Sequence, residues 1–288
     1  MILHFMNKVF FFFLSVVLAN LSSAQCLIPF DYGFLTHLKQ ERLTTELELY
    51  LKEYQNDVCK NDTALYELGV YYFSLKQFSQ ANSCFHQITE SSVYFKKAII
   101  YLTISHVIIN QYVKADSALH SLTNLTDEEQ QLKWFYHSMI ALHKEDTALY
   151  RMYDTKITDT LYWFHEARLY IKYELYPKIA ARQKSVWLAG GLSMLVPGLG
   201  KVYAGRKYEG LSSFLQNGAL FGIAFENINR SGLGSARSIL FTGIASVFYL
   251  GNIYGSIKAV KTNKRKKVLS SRYELENQMH IVLRNYLQ

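Results

Sequence analysis

The chain has 288 residues, half of them hydrophobic and 19% charged, with 22 Tyr, 18 Phe, three Pro and three Cys. That much apolar and aromatic surface excludes a disordered chain, and three unevenly spaced cysteines exclude a disulfide-dense mini-scaffold and leave no four-ligand zinc signature. The net charge of +8 is unevenly divided: residues 25–183 hold 16 Lys+Arg against 19 Asp+Glu, net −3, whereas 184–288 hold 14 against 4, net +10. The basic third is interleaved with apolar segments, which points to the anionic face of a membrane rather than to nucleic acid.

Residues 1–24 carry one Lys, an apolar run from Val9 to Leu18, and small polar residues ending in Ser22-Ser23-Ala24. This is the pattern of a secretory signal peptide, with cleavage expected before Gln25. Gln25 is the wrong residue to precede a lipidated Cys26, and an uncleaved anchor would export the same chain. The segment that follows is therefore expected outside the cytoplasm, where thiols oxidise; Cys26 and Cys59 are the pair whose spacing suits a disulfide, and Cys84 is expected to be packed.

Residues 30–176 contain almost no Gly or Pro, and apolar residues recur at helical spacing, as in LYELGVYYFSLKQFSQANSCFHQI. Leu68, Ala81 and Phe85 return 34 residues later as Leu102, Ala115 and Leu119, and Gln77-Phe78 returns as Gln111-Tyr112. With Leu65, Gly69 and Tyr72, these positions resemble the large, small and aromatic packing residues of tetratricopeptide-like helical repeats. The resemblance covers 62–122 directly and 30–180 by extension, with weaker units at 34–55 and 132–153 and a long closing helix over 157–182. It implies that Gly69 and Ala81 sit at a close helix crossing, that Leu68, Tyr72 and Phe85 fill the gaps, and that the domain docks a partner.

From Lys184 to Gly255 the composition changes, with Gly at 13 of 72 positions and long apolar runs. Spans are expected near 185–204, 210–228 and 238–257, the first broken at Pro197. Pro197-Gly198-Leu199-Gly200, Tyr203, Gly205-Arg206 and Gly210 form a PGxGxxYxGR pattern, followed by Gly251-Asn252-Ile253-Tyr254-Gly255. On these residues the segment 185–259 resembles a small bacterial membrane-hairpin domain of unknown function, in which secreted helical repeats precede the hairpin. Lys201 stands where Gln is more usual, and the resemblance brings no activity with it.

Small residues at Gly218, Ala219, Gly222 and Ala224 are expected to meet Gly243, Ala245, Gly251 and Gly255 across a tight hairpin. Gln216, Asn217 and Asn252 are too costly to face lipid, so they either bond across the hairpin or line a polar cleft, the first being favoured. Other candidates for chemistry fall away. His106, His120, His137, His143 and His165 lie on repeat helices without a metal-binding spacing, Pro-Gly-Leu-Gly-Lys lacks the Ser/Thr of a phosphate loop, and Asp127-Glu128-Glu129 reads as a helix cap after Thr126.

The sequence thus predicts an all-α protein: signal peptide 1–24, helical-repeat domain 25–183, membrane domain 184–260 and basic amphipathic tail 261–288. Lys258 to Lys267 and Arg206-Lys207 bracket the hairpin, so the positive-inside rule predicts three passes and a cytoplasmic tail, opposite the repeats. A re-entrant or interfacial 185–204 with the tail outside is the rival. The expected protein is non-enzymatic, without catalytic residue, metal or cofactor. It sits in a bacterial inner membrane with its repeats in the periplasm, binding an envelope protein partner, no nucleic acid, while the hairpin anchors it in the lipid bilayer or contacts another membrane protein. A small membrane transporter or membrane enzyme, with its polar site at the PGLG segment and the intramembrane Asn residues, is the second reading.

Overall fold

In a computed structural model the chain is all-α, with no strand among the described residues, which are 30–55, 60–158 and 162–287. The expected signal peptide, Cys26 and Cys59 lie outside them. The chain divides into two units, Met1–Phe164 with Met279–Gln288, and His165–Gln278.

The first unit is a run of helix pairs: α1 (Tyr32–Gln40) with α2 (Thr44–Lys52), α3 (Asp62–Ser74) with α4 (Phe78–His86), α5 (Phe95–Ile108) with α6 (Tyr112–His120), and α7 (Asp127–His143) with α8 (Thr147–Asp154). Each pair turns on a non-glycine residue in the left-handed region: Arg42, Lys76, Asn110 and Glu145, which are 34, 34 and 35 residues apart. At each turn the N–H of the next residue reaches back five positions, as from Gln77 to the Tyr72 carbonyl and from Gln111 to the His106 carbonyl. These bonds satisfy carbonyls left open at a helix end, so one turn geometry recurs with the period found in the sequence.

The interior follows the expected pattern. Leu68, Ala81, Phe85, Leu102, Ala115 and Leu119 are essentially inaccessible, and Tyr72 is buried with its hydroxyl donating to Glu48 Oε1 at 3.0 Å. A Cβ on Gly69 would lie 2.5 Å from the Phe85 ring, so only glycine lets that ring seat against α3. Cys84 is buried, and burial pushes its thiol up to about 11 while Gln55 Nε2, donating to Sγ at 3.2 Å, pulls the other way. Thr126 and Glu129 form a reciprocal capping box that starts α7, as the Asp127-Glu128-Glu129 cluster suggested.

The expected closing helix is present as an unbroken helical run over 162–180, in which α9 (Tyr162–Tyr170) passes through a π-helical turn (Ile171–Leu175) into α10 (Tyr176–Ala180); from His165 this segment belongs to the second unit. The end of the tail helix packs into the first unit. Met279, Val282 and Leu283 are buried as part of the first unit, because the apolar stripe of the tail helix has a protein core to enter.

The second unit contains α11 (Val186–Leu195), α12 (Leu199–Tyr203), α13 (Lys207–Ser231) and most of α14 (Ala236–Leu287). Of the described helices, α14 alone is both long and apolar enough to cross a membrane. Helix α13 has the length but carries Ser212, Ser213, Gln216 and Asn217 in its first half. The 185–204 stretch is not a straight span: α11 has ten residues, about 15 Å of helix against the roughly 30 Å of a hydrocarbon core. The exposed surface of this unit is rich in large apolar side chains, including Trp187 at 86% and Leu195 at 80%, where a water-soluble domain would bury them.

Candidate functional site

The glycine-rich motif builds the crossing of four helices. Helix α11 stops at the extended Val196, and Gly198, at φ +88°, starts α12. A Cβ on Gly198 would lie 2.0 Å from the Gly210 carbonyl oxygen, and one on Gly200 2.0 Å from the Ala189 carbonyl oxygen and 2.8 Å from Ser256 Cβ. One on Gly210 would meet Val202 Cγ2 at 2.5 Å. These glycines therefore let α12 press against α11, α13 and α14 at backbone contact distance. Ser193 closes the gap: its hydroxyl is 2.6 Å from the Ser256 hydroxyl and accepts from the Gly200 N–H at 3.0 Å.

The other motif residues fix the chain on either side. The Tyr203 hydroxyl accepts from the Ser185 N–H at 3.0 Å, and its carbonyl accepts from Lys184 Nζ at 2.6 Å. Gly205, at φ +94°, makes the turn into α13, and Arg206 pairs with Glu209 at 3.2 Å. Asn263 Nδ2 donates to the Ala204 carbonyl at 2.8 Å, tying α14 to this turn. The PGLG segment is a structural turn, as its sequence suggested. The expected meeting of Gly218, Gly222, Gly243 and Gly251 does not occur: a Cβ at each would find open space. Gly255 instead makes room for a side chain, since its Cβ would come within 3.2 Å of Lys201 Cε, while Tyr254 points outward.

Beside this crossing lies a cleft of about 330 Å³ between α13 and α14, lined by Lys201, Ser213, Gln216, Asn217, Val247, Phe248, Gly251 and Asn252. Lys201 Nζ donates to the Ser213 hydroxyl at 2.6 Å, and Asn217 Nδ2 donates to the Ser213 carbonyl at 2.8 Å. Asn217 and Asn252 are only 2% and 4% exposed, yet Asn217 Oδ1 and both amide atoms of Asn252 have no partner. The favoured expectation, amides bonding across the hairpin, is thus not met: Asn217 bonds its own helix, and the three polar residues line a cleft.

The first unit offers a groove of about 350 Å³ formed by α4, α5, α6 and the α4–α5 connection, with Phe85, Ile88, Ile99 and Leu102 in its floor and His86, Glu90 and Lys114 at its rim. Val113 on α6 and Val93, just before α5, are exposed at 81% and 84%. Within the floor His106 bonds Gln111 Oε1 at 3.1 Å; burial holds its pKa below the usual histidine value. Sequence spacing missed a second histidine cluster: Asp116 and His120 on α6 and His137 on α7 bring three ligand-type atoms within 4.8 Å of one another. Here His137 Nδ1 bonds Asp116 Oδ1 at 2.7 Å and His120 Nδ1 bonds the Asp116 carbonyl at 2.8 Å, so the cluster satisfies itself as a hydrogen-bonded network. The i,i+4 spacing of Asp116 and His120 was the available signal, and His137 comes from the next helix pair.

No protein family, curated protein or solved structure matches this chain, so the two family resemblances of the sequence rest on its motifs.

Proposed function

We propose that this chain is a non-enzymatic, membrane-anchored interaction protein of the bacterial envelope. Its tetratricopeptide-like unit docks a protein partner in the periplasm, and its second unit holds it in the inner membrane through a helical hairpin of α13 and α14. The observation that carries the reading is the same left-handed turn recurring at Arg42, Lys76, Asn110 and Glu145, because stacked helix pairs of constant geometry form extended docking surfaces. Support for the anchor comes from the apolar first half of α14 and the exposed Trp187, Leu195, Phe225 and Leu250 of the second unit.

In-cell crosslinking of the full chain followed by mild detergent extraction tests the reading. A stoichiometric envelope protein is expected to copurify with the wild type and to be lost from Val113→Asp and Lys114→Glu. A chain that runs alone after crosslinking, or a partner retained by both variants and by loss of the repeats, would overturn it. The second reading, a small transporter or membrane enzyme, is favoured by one observation, the unpartnered Asn252 amide; substrate-dependent flux in liposomes would support it.

A further inference from the structure

We infer that the cleft between α13 and α14 is a binding site for a phosphate group bearing neighbouring hydroxyls, held by Lys201 and Asn252. This goes beyond partner docking by the repeats, and it holds whether or not that docking is correct.

Lys201 places an ammonium in a cleft whose lining residues include no carboxylate. Its only hydrogen bond goes to a neutral hydroxyl, Ser213 Oγ at 2.6 Å, so the charge is not balanced within the site. A half-buried cation with no counter-charge in its cleft attracts an anion, which gains both the charge and a charge-assisted hydrogen bond there. Its location is built in: the missing side chain at Gly255 is what allows the Lys201 stem to lie across α14.

The amides define the rest of the ligand. Buried polar atoms are almost always hydrogen-bonded, yet Asn252 Nδ2, Asn252 Oδ1 and Asn217 Oδ1 lack partners while more than nine-tenths buried. Asn252 Nδ2 is a donor that complements an anionic oxygen beside the Lys201 ammonium. Asn252 Oδ1 and Asn217 Oδ1 are acceptors that an oxyanion alone leaves unsatisfied, so the ligand must also present hydroxyl donors. A phosphate ester of a polyol supplies both. Val247 and Phe248 provide an apolar flank suited to an acyl chain, and two sources share this chemistry: the glycerophosphate headgroup of an anionic lipid, and a free sugar or glycerol phosphate.

The full chain, purified in mild detergent and reconstituted into nanodiscs, separates these sources. Native mass spectrometry is run after exchange into phosphatidylglycerol or phosphatidylcholine, and thermal shift is measured with glycerol 3-phosphate and with inorganic phosphate. The lipid source is expected to show as a phosphatidylglycerol adduct preferred over phosphatidylcholine roughly tenfold or more, as befits a charge-assisted bond. The free source shows as stabilisation by glycerol 3-phosphate without lipid preference. Either signal must fall in Lys201→Gln and in Asn252→Ala, each checked for unchanged helical circular dichroism, and survive in Lys201→Arg and in the exposed control Lys207→Gln. Absence of both signals in the wild type, or persistence of the signal in Lys201→Gln and Asn252→Ala, overturns the site.

Discussion

The Tyr136 hydroxyl donates a 3.2 Å hydrogen bond to the backbone carbonyl of Met279, 143 residues further along the chain. Tyr136 is completely buried on α7, and Met279 and Val282 are completely buried near the end of α14, so the tail completes the core of the first unit. An apolar side chain in that position stabilises a fold through both the surface removed from water and the cavity it prevents.

Met279→Ala is therefore expected to destabilise the first unit by about 2–5 kcal/mol. Protease susceptibility of the 30–164 region in the full chain, followed through a thermal or urea transition, reads this directly. Exposed Tyr273→Ala is the reference, and equal behaviour of the two variants would sink the prediction.

The same bond constrains topology. A segment buried in the unit that holds residues 30–164 occupies the same aqueous compartment, so the proposed membrane anchor between them must cross the bilayer an even number of times. Alkaline phosphatase fused after Gln288 is expected to be active, matching one inserted at the exposed Ser91, while one inserted at Gly234 is inactive. This inverts the positive-inside expectation for Lys258 to Lys267. A fusion after Gln288 that reports the side opposite to Ser91 would falsify it.

Gly69→Ala forces its new methyl into the Phe85 ring, which is buried and has no free end to move aside. A loss of about 1–3 kcal/mol is expected. Phe85→Leu carries its own cavity cost, but the double variant should cost less than the sum of the two single changes. Strict additivity in the double-mutant cycle would show that the two residues do not meet.

In the second unit, Gly200→Ala drives a methyl to 2.0 Å from a backbone carbonyl, whereas Gly218→Ala enters open space. The first is expected to abolish the folded detergent-stable form. The second should be neutral or stabilising by up to about 1 kcal/mol through helix propensity. Fluorescence-detected size-exclusion after heating distinguishes them, and the reverse order would contradict the four-helix crossing.

Burial lowers the pKa of three histidines of the first unit. At His106 the hydrogen bond to Gln111 opposes burial while the neighbouring His86 and Lys114 add to it, at His280 Lys76 adds to it, and at His137 the Asp116 carboxylate opposes it without cancelling it. Each is neutral when folded and takes up a proton more readily when unfolded, so stability is full above the ordinary histidine value of about 6.5 and falls as pH drops below it. Denaturation at pH 7.5 and 5.5 tests this above the range where Glu48 and Glu129, whose pKa values are also lowered, begin to protonate. His137→Gln should flatten the dependence; a stability that rises on acidification would contradict it.

What the sequence determined by itself was local. The 34-residue recurrence, the close helix crossing at Gly69 with Phe85 filling the gap, and the Thr126–Glu129 cap all lie within one or two helix pairs, where spacing along the chain fixes spacing in space. It also determined that 184–257 is apolar and glycine-rich. The left-handed turns were illegible because Arg42, Lys76, Asn110 and Glu145 carry no glycine signal; there the turn's hydrogen bonds outweigh backbone preference. Tertiary structure alone decided three things: which glycines meet a backbone, that Asn252 is left without a partner in the cleft with Lys201, and that Met279, Val282 and Leu283 are buried in the unit that holds residues 30–164. The physical reason is the same in each case. An amphipathic or small-residue pattern states that a face must be covered, and only the arrangement of distant helices states what covers it.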